Sequence, residues 1–144
     1  DLIVRGICTL RPGIAGVSDN ITVRSIVGRF LEHHRLFYFR NGGNEKIFLS
    51  SADWMPRNLN ERVELMIPIE DKRHKARIKG ILDLYLVDTL KAHLMRADGS
   101  YYKVSNIEGP LSAQEELMEA ANTQDSREQM TVIERFKPMF KMKE

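Results

Sequence analysis

The sequence predicts an α/β domain in which helices cover a mixed β-sheet. Short runs rich in β-branched and aromatic residues, separated by glycine and proline, occupy most of the first 70 residues. A segment whose apolar residues recur with helical spacing follows them. Of the 144 residues, 42% are hydrophobic and 29% are charged, a composition typical of a folded domain and not of a disordered chain.

The first two strand patterns lie near the N-terminus. Residues 2–10 form the first predicted strand, because they are rich in β-branched side chains and end at the turn signal Arg11-Pro12-Gly13. A long, polar, glycine-containing loop runs to Asn20, and residues 21–27 form the second predicted strand. Loops of this kind often bear ligand-binding groups.

The clearest β-hairpin lies in the middle of the chain. It joins residues 33–39 to residues 46–50 through the turn Asn41-Gly42-Gly43-Asn44. A loop over residues 52–60 follows, and residues 63–69 then resemble a buried strand. The alternation of this strand places four apolar residues on one side: Val63, Leu65, Ile67 and Ile69.

Two helices and a second hairpin complete the predicted elements. Glu70-Asp71 is a cap for a long helix. Residues 92–104 suit a hairpin, and residues 112–121 start with a capping-box-like sequence. Residues 122–144 are polar and suit a surface helix or a loose tail. The apolar positions of the long helix are Ile78, Ile81, Leu82, Tyr85 and Leu86.

We expect residues 1–110 to form the domain core and residues 111–144 to form a helical extension or tail of the same domain. The chain begins at Asp1 without methionine and enters an apolar run directly, so we expect a C-terminal fragment of a longer protein. One cysteine, Cys8, excludes an intrachain disulfide and points to the cytoplasm. No apolar run is long enough to span a bilayer, although peripheral membrane association stays open.

Positive charge is concentrated in the first part of the chain. Residues 1–80 contain 14 Lys and Arg against 9 Asp and Glu, whereas residues 81–144 contain 8 against 11. The first 62 residues contain eight arginines and one lysine. Because a guanidinium grips phosphate through two donors, this bias favours an anion site over ordinary surface arginines, which remain the alternative. The net charge of +2 is too low to indicate a nucleic-acid partner.

The sequence His33-x-Arg35 is the sharpest candidate for chemistry. Residues two apart share one face of a strand, so the imidazole and the guanidinium are expected side by side. Such a pair suits phosphoryl chemistry, since the ring exchanges a proton while the cation neutralises phosphate oxygens. Ser51 and Asp53, at the end of the paired strand, are expected to hold the His33 ring or the phosphate. The alternative is a pair that merely ends an exposed hairpin.

Arg5 lies in an apolar strand pattern beside Gly6. It either pairs with a carboxylate or faces an anionic ligand, and Gly6 leaves room for a close approach. The other histidines, His34, His74 and His93, suit structural or solvated roles. The sequence contains no P-loop, dinucleotide fingerprint or metalloprotease motif, and we expect no metal ligands in it.

Four blocks of this sequence resemble the C-terminal part of the bacterial polyphosphate kinase family. They are Leu2-Ile-Val-Arg-Gly-Ile-Cys8, Leu10-Arg-Pro-Gly13, Ser25-Ile-Val-Gly-Arg-Phe-Leu-Glu-His33 and Ser50-Ser-Ala-Asp-Trp-Met-Pro-Arg-Asn58. The likeness covers residues 2–110 and implies a phospholipase D-like domain, the second of two. Such enzymes move the terminal phosphate of ATP reversibly onto inorganic polyphosphate through a phosphohistidine in the preceding domain. The resemblance also implies Mg²⁺ bound outside this fragment, and a homo-oligomer.

The resemblance assigns roles to several residues. It makes Arg5 a ligand of the nucleotide phosphates and His33 the second active-site histidine, which also contacts ATP. Arg35 occupies the place of the lysine in the phospholipase D pattern His-x-Lys, and Ser51 and Asp53 stand near its Ser-x-Asn. Arg40 replaces the aspartate of that pattern, which weakens a phosphodiesterase interpretation. We expect the fragment alone to lack kinase activity and to retain weak affinity for nucleotide or polyphosphate.

Two alternative functions stay open. One is a phospholipase D-like phosphodiesterase, which would act without a nucleotide. The other is a non-enzymatic polyanion-binding module, whose affinity would depend on salt and not on an imidazole.

Overall fold

A four-stranded mixed sheet and a three-stranded antiparallel sheet form the framework of the chain. They are seen in a computed structural model that describes residues 1–104 and 109–122. The α/β class is confirmed, but the strands form two sheets instead of the one predicted. In chain order the elements are β1 (Leu2–Ile3), β2 (Val23–Ile26), β3 (Arg35–Phe39), β4 (Lys46–Ser50), α1 (Pro56–Asn60), β5 (Met66–Ile69), α2 (Lys72–Val87), β6 (Ala92–Met95), β7 (Tyr101–Lys103) and α3 (Ala113–Asn122).

The chain divides into two compact units. Unit 1 contains Asp1–Leu31 and the described residues from Asp83 onward, and unit 2 contains Glu32–Leu82. The predicted division at residue 110 stays a prediction, because most of the expected extension, residues 123–144, lies outside the described residues.

Unit 1 is built on the mixed sheet, in the order β1-β2-β6-β7. Strand β1 is parallel to β2, and the other pairs are antiparallel. The predicted hairpin over residues 92–104 is confirmed as β6 and β7. The end of α2 contributes Leu84 and Tyr85 to the core of this unit. Its other buried apolar residues are Val23, Ile26, Ala92, Met95, Leu111 and Ala113.

The first predicted strand is much shorter than expected. Only Leu2–Ile3 is β-strand, and the last backbone bond to β2 runs from Val4 N to Arg24 O at 2.8 Å. Beyond that point the β-branched residues lack a pairing strand in the described part of the chain, and Ile7 is almost fully exposed. A high β-propensity does not make a strand without a partner, so the prediction for residues 2–10 was wrong.

Unit 2 contains the predicted central hairpin. Strands β3 and β4 pair antiparallel, with Arg35 opposite Ser50 and Phe39 opposite Lys46. The reversal uses left-handed backbone at Asn41, Gly42 and Gly43, with φ of 46°, 62° and 95°. Glycine enters this region without steric cost, and asparagine tolerates it better than most residues. The local sequence therefore specifies the hairpin.

The segment before α2 differs from its prediction. Residues 63–69 were expected to form a buried strand, but β5 begins at Met66, Val63 is 100% exposed and Ile67 is 52% exposed. Among the strands of the described residues, β5 pairs with β4 alone and lies at the edge of the three-stranded sheet. Alternation identifies which side chains share a face, but it does not establish that anything covers that face. The predicted loop before it contains the short helix α1, which starts at Pro56.

The helix predictions agree well with the structure. Asp71 Oδ1 accepts hydrogen bonds from the backbone N–H groups of Arg73 (2.9 Å) and His74 (3.0 Å), as expected of a helix cap. Helix α3 begins after Ser112, whose Oγ accepts a bond from Glu115 N at 3.5 Å. The caps therefore mark where both helices start.

Candidate functional site

Three of the predicted site residues lie together in unit 2. Arg35 Nη2 donates to Asp53 Oδ1 at 2.7 Å, and Arg35 Nε donates to the same oxygen at 2.9 Å. Arg35 Nη2 is also 3.0 Å from His33 Nε2. The structure places His33 and Arg35 side by side, although the predicted strand over residues 33–39 begins only at Arg35 and His33 precedes it. It places Asp53 on the guanidinium instead of on the imidazole.

The hairpin register explains why Asp53 reaches Arg35. Arg35 is paired with Ser50, the last residue of β4, so the segment after β4 passes beside it. Trp54 then stacks on Phe37, with ring centroids 5.7 Å apart and an interplanar angle of 20°. Phe37 shares a face of β3 with Arg35, so this stacking holds the Asp53 segment over that face.

The contact with Arg35 determines the hydrogen-bonding state of His33. A guanidinium only donates hydrogen bonds, so His33 Nε2 must accept. The ring proton of His33 then resides on Nδ1, which leaves Nδ1–H as a donor for another group. Within the described residues Arg35 Nη1 makes no hydrogen bond. Each side chain thus retains one donor nitrogen suited to an anionic oxygen, Nδ1 of His33 and Nη1 of Arg35.

Asp53 is held in its ionised form. The hydrogen bond from Arg35 lowers the pKa of Asp53 below its usual value, and partial desolvation opposes this effect. The positive charges of Arg35 and Arg57 lower the pKa of Asp53 further. The carboxylate therefore offsets the charge of Arg35 and fixes the orientation of its guanidinium.

Ser51 makes no hydrogen bond to His33 or Arg35. Its hydroxyl donates to Glu64 Oε2 at 2.5 Å and accepts a bond from Leu65 N at 3.0 Å. The backbone N–H of Ser51 donates to Leu65 O, also at 3.0 Å. The segment that leads to Asp53 is therefore tied to the segment that leads into β5.

Glu64 and Asn58 were missed by the sequence analysis. Asn58 is 3% exposed, and its Nδ2 donates to Glu64 Oε1 at 2.8 Å. The hydrogen bonds from Ser51 and Asn58 lower the pKa of Glu64. Asn58 Oδ1 is buried and has no hydrogen-bond partner in the described part of the chain. Asn58 belongs to no periodic pattern, and the alternating pattern of residues 63–69, which contains Glu64, does not indicate a polar partner. The sequence therefore offered no signal for this network.

Arg5 lies in unit 1, just after β1. Its side chain is exposed, and it forms no ion pair or hydrogen bond with any residue that the structure describes. The salt-bridge alternative therefore has no support within those residues. The structure leaves the expected ligand role of Arg5 untested.

No group of three or more His, Cys, Asp or Glu side chains that could hold a metal ion occurs among residues 1–104 and 109–122. No helix within those ranges is long and apolar enough to cross a membrane.

Comparisons with known proteins identify the family. The family model described as "Polyphosphate kinase C-terminal domain 2" matches residues 1–114. A polyphosphate kinase of Pseudomonas aeruginosa is 55% identical over 121 residues, which cover 83% of this chain and 18% of that protein. One of Bacillus anthracis is 58% identical over 106 residues, which cover 74% of this chain and 15% of that protein.

A solved structure supports the same relationship. The crystal structure of polyphosphate kinase from Porphyromonas gingivalis matches with a TM-score of 0.80 and 38% sequence identity, over 90% of this chain and 19% of that one. This match confirms the predicted fold class. The chain spans less than a fifth of the length of each of these relatives. By sequence and by fold, this chain belongs to the polyphosphate kinase C-terminal domain 2 family.

Proposed function

We propose that this chain works as one domain of a polyphosphate kinase, which transfers the terminal phosphate of ATP reversibly to inorganic polyphosphate. The phosphohistidine that carries the phosphate belongs to another domain of that enzyme, and this chain contributes groups that bind ATP and phosphate. Membership of the family, together with the 3.0 Å contact between His33 and Arg35, is the observation that supports the proposal most directly.

In this proposal His33 and Arg35 act on the phosphoryl group in transit. The phosphoryl oxygens gain stabilisation from donors that are already oriented, because the transition state spreads negative charge over them. His33 offers Nδ1–H, and Arg35 offers the Nη1 group that has no partner among the described residues. Asp53 keeps the guanidinium in a fixed orientation through its two hydrogen bonds.

Arg5 serves as a second cation for the nucleotide phosphates. Its exposed guanidinium is not neutralised by a carboxylate in the described residues, so an anion meets no competing partner there. Arg35, by contrast, shares its charge with Asp53. We therefore assign charge neutralisation mainly to Arg5, orientation to Arg35 and Asp53, and support of the loop to Ser51.

Mg²⁺, which kinases of this kind use with ATP, has no suitable site on these residues. Two carboxylates of unit 2 are already engaged: Asp53 by Arg35, and Glu64 by Ser51 and Asn58. The donor set does not fit a magnesium ion. When bound elsewhere in the enzyme, Mg²⁺ would neutralise phosphate charge.

The test is the substitution His33→Ala in the complete enzyme that contains this chain. We expect polyphosphate synthesis from ATP to fall by about 100-fold or more. The Tm should change little, because the His33 side chain is exposed and contributes little packing. His74→Ala is the matched control, since His74 is exposed on α2. Unchanged synthesis in His33→Ala would contradict the proposal.

Activity and binding assays of the complete enzyme distinguish the proposal from its two alternatives. ATP-dependent formation of polyphosphate supports the kinase. Cleavage of a phosphodiester without any nucleotide would instead indicate the phosphodiesterase. Salt-dependent binding of polyphosphate without catalysis would indicate a binding module. Association with the other domains of the chain, and a homo-oligomer, belong to the same proposal.

A further inference from the structure

One carboxylate joins the two ends of the segment from Ser51 to Asn58. Glu64 Oε2 accepts a hydrogen bond from Ser51 Oγ at 2.5 Å, and Glu64 Oε1 accepts one from Asn58 Nδ2 at 2.8 Å. Asp53 lies between these two ends in the sequence, and its carboxylate binds Arg35. All of these residues belong to unit 2, so this Ser51–Glu64–Asn58 bridge and the ion pair form within a single compact unit.

Asn58 is the buried end of the bridge. Among residues 56–60, which form α1, only Asn58 is buried, with 3% of its surface exposed. A helix of five residues is too short to be stable alone in water, so α1 depends on contacts outside itself. The bond from Asn58 to Glu64 is such a contact, and its acceptor is charged, which makes it stronger than a bond between neutral groups.

The interior of the segment has weaker restraints than its ends. Trp54 stacks on Phe37, but the indole is 73% exposed, so most of its surface stays in water. Ala52 N donates to Ser50 Oγ at 3.1 Å, which is a bond to a near neighbour in the chain. A chain segment fixed at both ends has fewer conformations than one fixed at a single end. The position of Asp53 therefore depends on the bridge.

The bridge requires Glu64 to be ionised. The hydrogen bonds from Ser51 and Asn58 lower the pKa of Glu64, and the positive charge of Arg35 lowers it further. An ionised carboxylate accepts hydrogen bonds at both oxygens, whereas a protonated one carries a donor. Near neutral pH Glu64 can therefore hold both ends of the segment at once.

We propose that Asn58 is a positioning residue for Asp53: through Glu64 it fixes the far end of the segment whose carboxylate orients Arg35. Asn58 lies five residues after Asp53 in the chain, and it makes no hydrogen bond to His33 or Arg35. Its effect on the site is therefore indirect. The inference rests on the function proposed above, because it presupposes that the orientation of Arg35 matters for phosphate transfer.

The test uses the complete polyphosphate kinase that contains this chain, with Asn58→Asp, Glu64→Gln and the double variant. Asn58→Asp sets a second carboxylate against Glu64, so the bond is lost, and kcat for polyphosphate synthesis should fall by about 10- to 100-fold. Glu64→Gln should cost only about threefold, because the Asn58 amide can turn to present its oxygen to the new donor. The KM for ATP should stay within about twofold, since we assign phosphate neutralisation mainly to Arg5.

The double variant should recover activity. With Asn58→Asp and Glu64→Gln together, the introduced amide donates to the introduced carboxylate, and its oxygen still accepts from Ser51. The bridge is then restored with donor and acceptor exchanged, and kcat should return to the level of Glu64→Gln alone. A second pairing tests the route of the effect: in an Asp53→Asn background, Asn58→Asp should lower Tm but add little to the loss of kcat.

Hydrogen exchange provides a readout that does not depend on activity. Ser51 N donates to Leu65 O, and Asn58 N donates to Met55 O, both at 3.0 Å. The peptide covering residues 51–60 should therefore exchange faster in Asn58→Asp and return to the wild-type rate in the double variant. Asn60→Asp is the matched control, because it adds the same charge at an exposed position of the same helix. It should change neither exchange nor kcat.

The outcomes separate the two proposals. Faster exchange with unchanged kcat, or a double variant that stays as slow as Asn58→Asp, would overturn the positioning role. If the unmodified enzyme makes no polyphosphate while exchange still responds to Asn58→Asp and recovers in the double variant, the proposed function fails and the bridge stands. If Asn58→Asp does not fold, Asn58→Ala takes its place without an added charge. It should lower kcat in the same way, and an unchanged kcat there would overturn the proposal.

Discussion

Arg35 Nη2 donates a hydrogen bond to His33 Nε2 over 3.0 Å. This contact connects a residue of β3 with a residue two positions earlier, outside the strand. Its consequence is chemical: the only nitrogen of His33 left to donate is Nδ1. The guanidinium that imposes this state is itself oriented by Asp53. The following predictions test how much depends on that arrangement.

Arg35→Lys should impair the enzyme although it preserves the charge. An ammonium group lacks the planar fork that serves one carboxylate oxygen and the imidazole together. We expect kcat for polyphosphate synthesis to fall by about 10- to 100-fold, while Tm changes little. Steady-state kinetics of the complete enzyme check this, with Arg40→Lys, an exposed arginine in the hairpin loop, as the control. Equal effects of the two changes would contradict a special role for Arg35.

Asp53→Asn should alter the pH dependence of stability. The pKa of Asp53 is lowered in the folded state, mainly by the hydrogen bond from Arg35. The stability it contributes is therefore fully present above the unfolded pKa of about 3.9, and it is lost as the pH falls through the lower folded pKa. Urea unfolding of the chain from about pH 7 down to pH 2 measures this. The difference between wild type and variant should be constant near neutrality and should shrink in acid.

Asp98→Asn is a useful comparison for that experiment. The pKa of Asp98 is also lowered, but by hydrogen bonds from Ser100, and both residues are distant in sequence from Asp53. It should show the same direction of pH dependence without any effect on polyphosphate synthesis. A difference for Asp53→Asn that grows toward low pH would contradict the assigned pairing.

Ile47→Ala should destabilise the chain strongly. Ile47 is 2% exposed, and truncation of such a residue removes apolar contacts and leaves a cavity, at a cost of about 2–5 kcal/mol. Ile67 lies on the same face of the sheet but is half exposed, so Ile67→Ala should cost less than about 1 kcal/mol. Thermal unfolding of both variants checks the contrast. Equal losses would show that Ile67 is covered in solution.

The chain alone should not make polyphosphate from ATP. The phosphohistidine of the proposed mechanism lies in another domain, so the isolated 144 residues lack the group that accepts the phosphate. Incubation with ATP and detection of polyphosphate checks this. We expect binding of polyphosphate that weakens as salt is raised, since it depends on charge neutralisation. Synthesis at the rate of the complete enzyme would contradict the prediction.

Local chemistry made the hairpin and the His33–Arg35 pair predictable. The turn at Asn41-Gly42-Gly43 and the alternation of β3 and β4 involve neighbouring residues. The sequence placed Asp53 near this pair but did not identify its partner, because its position depends on the strand register and on the stacking of Trp54 against Phe37. Spacing alone suggested that Asp53 would contact the imidazole or the phosphate, whereas it accepts hydrogen bonds from the guanidinium of Arg35.

Contacts between distant parts of the chain escaped prediction. Glu64 binds Ser51 from 13 residues away, and Gln114 binds Phe30 from 84 residues away. Polar contacts of this kind leave no periodic pattern in a sequence. The exposure of Val63 and Ile67 was missed for a related reason: a pattern identifies an apolar face but not its covering. Propensity likewise overestimated the strand at residues 2–10, which lacks a partner.

The tight reversal at Asn41, Gly42 and Gly43 sets which residues of β3 and β4 face each other. It thereby places the segment that contains Asp53 beside Arg35. A slip of one residue between β3 and β4 would turn alternate side chains to the opposite surface, and the carboxylate would then arrive beside Leu36 instead of the guanidinium. Bulky β-branched residues in this bend would favour such a slip. The three-residue bend thus fixes the register of β3 and β4, and through it the contact between Arg35 and Asp53 at the other end of the hairpin.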